Sequence, residues 1–144
     1  MIHTEIMDWE FCQQKFIRKV DEDAQRIKSI VLKARQRLKR AQTTPISEET
    51  ASFVVEDYYE VIKEFLVAYL LKAGMRSRNH QCLISYFNLK NPHLESEVIL
   101  IAQMSYFRNR LDYYGESVPV DFYEKNKDRF LQIINILEKL VGVE

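Results

Sequence analysis

Only three glycines and three prolines punctuate 144 residues, and the glycines, at positions 74, 115 and 142, each follow an apolar run with helical spacing. Glycine accepts the left-handed conformation that ends helices, and proline cannot continue one. A chain so sparsely interrupted reads as long helices joined by short connections. Its length fits one domain. The expectation is an all-α, single-domain bundle of about five helices spanning 1–144, running up and down, with one short helix.

The first helix is expected from about Thr4 to Thr43, filling the region 1–44. Val20, Ala24, Ile27, Val31, Ala34, Leu38 and Ala41 recur three and four apart, a seam that packs on other helices, and Ile6, Trp9 and Phe16 extend it. The other face carries Lys28, Lys33, Arg35, Arg37, Lys39 and Arg40. Two readings of that face stay open: a solvated surface whose cations suit the helix C-terminus, or a phosphate-binding strip.

Thr43-Thr44-Pro45 ends this element. Ser47 is a good N-cap for a second helix, with Glu48 and Glu49 at its positive end, running to about Ala73 and stopped by Gly74. Tyr58, Ile62, Phe65 and Tyr69 follow one face, and Val61, Leu66, Ala68, Leu70 and Leu71 widen it so far that this helix must be central and largely buried. Asn79 caps a short third helix reaching about Leu89. After Asn91-Pro92, a fourth runs from about Leu94 to Tyr114 and stops at Gly115. Asp121 and Glu124 have the spacing of a capping box for a fifth helix, which ends near Val141. No strand is expected.

Several chemistries are absent from the sequence. No glycine-rich phosphate loop exists, and no Glu-x-x-His pair that a di-iron bundle would need. His3, His80 and His93 do not pair with carboxylates at metal-ligand spacing, and two cysteines cannot build a structural zinc site. No cofactor is expected. Cys12 and Cys82 are read as free thiols of a cytoplasmic protein. The formal net charge is zero, so anion binding must come from local patches. The longest apolar-rich run, 65–71, is too short to cross a bilayer.

What remains is the end of the fourth helix. Leu100, Met104, Phe107, Leu111 and Tyr114 share one face; Val98, Ile101, Ser105, Arg108 and Asp112 form the next stripe, which turns polar toward the C-terminus. Asn109 and Tyr113 lie beside it. An arginine, an amide and a phenol are thus presented together at a helix end.

Three segments in this part of the chain resemble the HEPN domain family, over roughly residues 47–141. They are the apolar helix from Glu56 to Leu71, the Gly74-to-His80 turn with the short helix after it, and Arg108-Asn109-Arg110-Leu111-Asp112-Tyr113-Tyr114-Gly115. The resemblance implies a helical bundle that pairs as a homodimer, with metal-independent endoribonucleases among its active members. Many act as toxins or defence factors beside a minimal nucleotidyltransferase. The family signature is Arg, four to six residues, then His, with the two protomers' residues meeting in a cleft. Arg108 matches the arginine and Asn109 the polar residue after it. Four residues intervene before Tyr113, which stands where the histidine belongs.

That departure matters. Metal-free RNA cleavage needs the 2′-OH deprotonated and the leaving oxygen protonated, and histidine suits both near neutral pH. Tyrosine, with a pKa near 10, is a poor base there but can donate a hydrogen bond. Arg108 would clamp phosphate, Asn109 orient it, and Tyr113 hydrogen-bond or donate a proton. His80 could act as base only if its turn folds against the end of the fourth helix. Three readings stay open: an Arg108–Asp112 ion pair with boundary tyrosines and no site, an RNA- or ligand-contacting site without catalysis, and a working ribonuclease. The expected partners are a second copy of the chain, RNA and a minimal nucleotidyltransferase. The second copy is expected to dock along Val98, Ile101 and Ser105.

Overall fold

The computed structural model describes residues 5–143. The elements in order are α1 (Trp9–Lys15), β1 (Ile17–Lys19), α2 (Ala24–Thr43), α3 (Ala51–Lys72), β2 (Met75–Ser77), α4 (His80–Lys90), α5 (Glu95–Tyr114) and α6 (Val120–Val141), with a 3-10 turn at Pro92–Leu94. The all-α, single-domain expectation holds, with six helices and one two-stranded ribbon among the described residues.

The apolar width of α3 sets the architecture. Val54, Val55, Val61, Ile62, Phe65, Leu66, Ala68 and Leu70 are all at most 2% exposed, which requires neighbours on every side. Accordingly α2, α4, α5 and α6 all pack on it. Ile27, Val31, Ala34 and Ala41 of α2 are buried, so the predicted seam is used. From α6 come Phe130, Ile133, Ile134 and Leu137, each at most 1% exposed.

The single long first helix does not form, and its expected start at Thr4 lies outside the described residues. Two aspartates break it. The Asp8 carboxylate accepts from Phe11 N (3.2 Å) and opens α1; that of Asp23 accepts from Arg26 N (3.0 Å) and opens α2. Between them the chain turns extended and pairs antiparallel with β2, Ile17 opposite Ser77 and Lys19 opposite Met75. This ribbon corrects the expectation of no strands. Val20 N→Gly74 O (2.9 Å) and Arg78 N→Phe16 O (3.0 Å) extend it at both ends.

The free-thiol expectation is also overturned. Cys12 of α1 and Cys82 of α4 form a disulfide, with Cα atoms 5.7 Å apart, and both residues are fully buried. Disulfides persist in oxidising surroundings, so a cytoplasmic setting no longer follows from the cysteines. Among the described residues no helix is long and apolar enough to cross a membrane.

The helix ends show how local signals fared. Ser47 does cap: its Oγ accepts from Thr50 N (3.1 Å) and its carbonyl from Ala51 N (2.9 Å), one turn before α3 becomes regular. Asn79 Oδ1 accepts from Gln81 N (2.8 Å) at the start of α4. The Asp121/Glu124 capping box is not made. Pro119, with φ −59°, precedes α6 without a side-chain cap. Asp121 falls inside the first turn, where its charge still suits the helix dipole. At Gly115, φ is +65°, and its N–H reaches back to Leu111 O (3.0 Å), closing α5.

The basic face of α2 is neither a bare solvated surface nor an open strip. Arg35 grips Glu138 of α6 through two hydrogen bonds (3.0 and 2.8 Å) and donates to Val143 O. Arg37 pairs with Glu64 (2.7 Å), and Arg40 pairs with Asp57 through Nε (3.0 Å) and Nη2 (2.5 Å). These arginines fasten α2 to α3 and α6, leaving Lys33 and Lys39 exposed without an ion pair among the described residues.

Candidate functional site

The candidate site forms where α5 leaves the core. Val98, Ile101 and Ser105 are 2%, 0% and 3% exposed, covered by the chain's own α3 and α4. The stripe expected to receive a second copy is therefore filled, and a dimer cannot use it. Its next members, Arg108 and Asp112, emerge from the core with side chains 24% and 34% exposed.

Opposite them, α3 presents Glu56, Glu60 and Lys63. These residues lie four and three apart on a single face. Arg108 Nη2 is 3.5 Å from Glu60 Oε1, and its Nε is 3.2 Å from Asp112 Oδ2. The Nε contact is misaligned, so this buried N–H has no hydrogen-bond acceptor. Lys63 Nζ lies 2.5 Å from the other oxygen of Glu60. Burial raises the Glu56 carboxyl above its ordinary range, and a hydrogen bond with Asp112 and the charges of Asp112 and Glu60 add to it, against Arg108. The cluster is thus a carboxylate bed holding one guanidinium and one ammonium.

Ser105 anchors the neighbouring helix. Gln81 Nε2 donates to Ser105 Oγ (2.8 Å), and Tyr59 OH donates to the same oxygen (3.4 Å). This clasp ties the first turn of α4 to α5. His80, the first residue of α4, consequently faces the end of α5. Partial burial lowers its pKa, with Lys63 and Arg108 contributing in the same direction and Glu60 opposing, so the imidazole is neutral at pH 7.

Arg78, Asn79, His80, Gln81, Arg108, Asn109 and Tyr113 line one open hollow of about 270 Å³. The four residues singled out in the sequence, His80, Arg108, Asn109 and Tyr113, therefore share a surface. Tyr113 is 75% exposed at its rim. Arg78 Nη2 donates to Lys15 O (2.9 Å), which fixes its guanidinium beside the hollow. The hollow is smaller and more open than the pockets that enclose whole small molecules, and it suits one phosphate or one nucleotide edge.

Sequence reasoning missed Glu56, Glu60 and Lys63. Their signal was legible: a polar stripe at helical spacing inside an otherwise buried helix. Gln81 had no such signal, because its role depends on where α4 docks. Among the described residues no group of three or more His, Cys, Asp or Glu is placed to hold a metal ion. Comparison with protein-family models, with curated proteins and with solved structures gives no match to this chain.

Proposed function

We propose that the chain is a HEPN-like RNA-associated protein that binds RNA at the His80–Arg108 hollow and cleaves it without a metal. The observation that carries the reading is that His80 lines the same hollow as Arg108, Asn109 and Tyr113. His80 takes the role of the histidine that Tyr113 replaces.

In this mechanism His80 removes the 2′-OH proton as the 2′ oxygen bonds to phosphorus. The bond from phosphorus to the 5′ oxygen breaks, and the Tyr113 hydroxyl protonates the leaving oxygen, giving a cyclic phosphate and a free 5′-OH. His80 then returns the proton to the tyrosinate through solvent. Arg108 faces the phosphate charge and Asn109 orients its oxygens.

A second reading is favoured by one observation: Arg108 is already countered by Glu60 and Asp112. In that reading the hollow holds a nucleotide or a partner without cleaving it, and the chain serves as a helical subunit of a minimal nucleotidyltransferase, in the cytoplasm or elsewhere. A homodimer, also proposed, would use the exposed side of α5 at Ile99, Tyr113 and Tyr114.

Incubation with single-stranded RNA in EDTA separates the two. Cleavage lost in both Arg108→Ala and His80→Ala supports the ribonuclease; intact RNA bound in an Arg108-dependent way supports the binding subunit. RNA neither bound nor cleaved overturns the ribonuclease reading, and absence of both nucleotide binding and a nucleotidyltransferase complex overturns the second. Light scattering at micromolar concentration tests the dimer.

A further inference from the structure

The two-stranded ribbon carries a pair of like charges. Arg18 of β1 and Arg76 of β2 stand directly opposite each other in its register. Side chains alternate between the faces of a strand, and directly opposed residues share one face. Ile17 and Met75, the residues next to them, pack against the core. Arg18 and Arg76 therefore occupy the outer face, and both are exposed. Like charges directly opposite destabilise a strand pair. Neither side chain makes a hydrogen bond or ion pair among the described residues that would offset this.

The adjoining chain adds cations. Residues 15–19 and 75–81 hold Lys15, Arg18, Lys19, Arg76 and Arg78 and no aspartate or glutamate. Asp21, Glu22 and Asp23 follow the ribbon end that Val20 N→Gly74 O closes. Arg78 lies at the other end, where its N–H donates to Phe16 O (3.0 Å). Same-face residues along a strand are about 6.8 Å apart, so Arg78 is the next step after Arg76 on the outer face. It also lines the hollow that holds His80 and Arg108. A chain of zero net charge thus concentrates cations on one short track that runs into the hollow.

We infer that the outer face of the ribbon binds the sugar–phosphate backbone of a single RNA strand and leads it into the His80–Arg108 hollow. The inference rests on the RNA-binding reading above and adds a contact that does not depend on base sequence. A guanidinium takes a phosphate through two parallel N–H donors. One phosphate lodged between Arg18 and Arg76 replaces their repulsion with two attractions, and Arg78 receives the next.

The test is a salt series of fluorescence anisotropy with a labelled single-stranded oligouridylate, on the full chain, Arg18→Gln/Arg76→Gln and Arg108→Ala. For a single strand, log affinity falls with log salt by about 0.7 for each phosphate neutralised. The ribbon variant should bind more weakly and lose about 0.7 or more from that slope, equally on an oligoadenylate, with no fall in Tm. A slope unchanged in the ribbon variant but reduced in Arg108→Ala overturns the ribbon contact and leaves RNA binding at the hollow standing. The reverse pattern supports the ribbon and overturns the hollow. No RNA bound by the unmodified chain overturns both, as does binding to phosphatidylserine vesicles in place of RNA. If the double variant fails to fold, backbone amide shifts of residues 17–19 and 75–78 in the unmodified chain decide. Movement on adding the oligouridylate supports the ribbon contact, and stillness overturns it.

Discussion

Breaking the Cys12–Cys82 bridge should cost the fold about 4 kcal/mol. The bridge joins residues 70 apart. Loop-closure entropy predicts about 3 kcal/mol for a 15-residue loop and about 4.7 kcal/mol for a 100-residue loop, which brackets this case near the upper end. At 2–4 °C per kcal/mol for a domain of this size, Tm should fall by about 8–16 °C. The loss should begin in one place. α1 has seven residues, too few to be helical alone. Besides the bridge it is held by the Trp9–Tyr86 ring contact (5.2 Å) and by Arg78 on Lys15 O. Circular-dichroism melts with and without reductant, and of a Cys12→Ala/Cys82→Ala double variant, give the magnitude. Hydrogen exchange should show α1 and β1 losing protection before α3. Coincident melts would refute the reasoning, as would two free thiols, by intact mass, in protein folded under air.

Three further outcomes are expected. Glu56 binds its proton more tightly in the folded chain than in the unfolded one, so that contribution is complete below its ordinary pKa of 4.5 and is lost as pH rises through the raised value. Glu56→Gln therefore raises Tm at pH 7 by about 1–2 °C, and the gain vanishes below pH 4.5, as a pH series of melts will show. Asp112→Asn removes one of the two carboxylates that counter Arg108. One unit charge near a bound phosphate is worth about 1 kcal/mol in water, so RNA affinity by fluorescence anisotropy should rise about fivefold, with little change in Tm. Gly115→Ala meets no atom within 4 Å of the added carbon, but its φ is +65°. The cost is backbone strain alone, about 1 kcal/mol and about 2–4 °C in Tm.

What the sequence made legible was local. The helices from α3 to α6 are set by apolar spacing and glycine stops, which act within a few residues, and their ends follow closely. Apart from the Asp121/Glu124 capping box, the failures are contacts between distant parts of the chain. Asp21, Glu22 and Asp23 were visible, but only the pairing of β1 with β2 makes Asp23 a cap rather than an interior residue of one long helix. Cys12 and Cys82 carry no spacing rule that would pair them, and their bridge follows from α1 docking on α4.

The candidate site divides the same way. Arg108, Asn109 and Tyr113 follow from helical spacing on α5, whereas His80 joins them only because Gln81 clasps Ser105 and so seats α4 against that helix. Val98, Ile101 and Ser105 were correctly read as an apolar stripe leading to Arg108, yet periodicity states that a face is covered and not by what. Here α3 and α4 of the same chain cover it. That answer changes the chemistry at its end. A second copy would have brought another Arg108, a cation against a cation. The chain's own α3 brings Glu60 instead, so Arg108 stands countered before any ligand arrives, and an incoming phosphate has to compete with carboxylates for it.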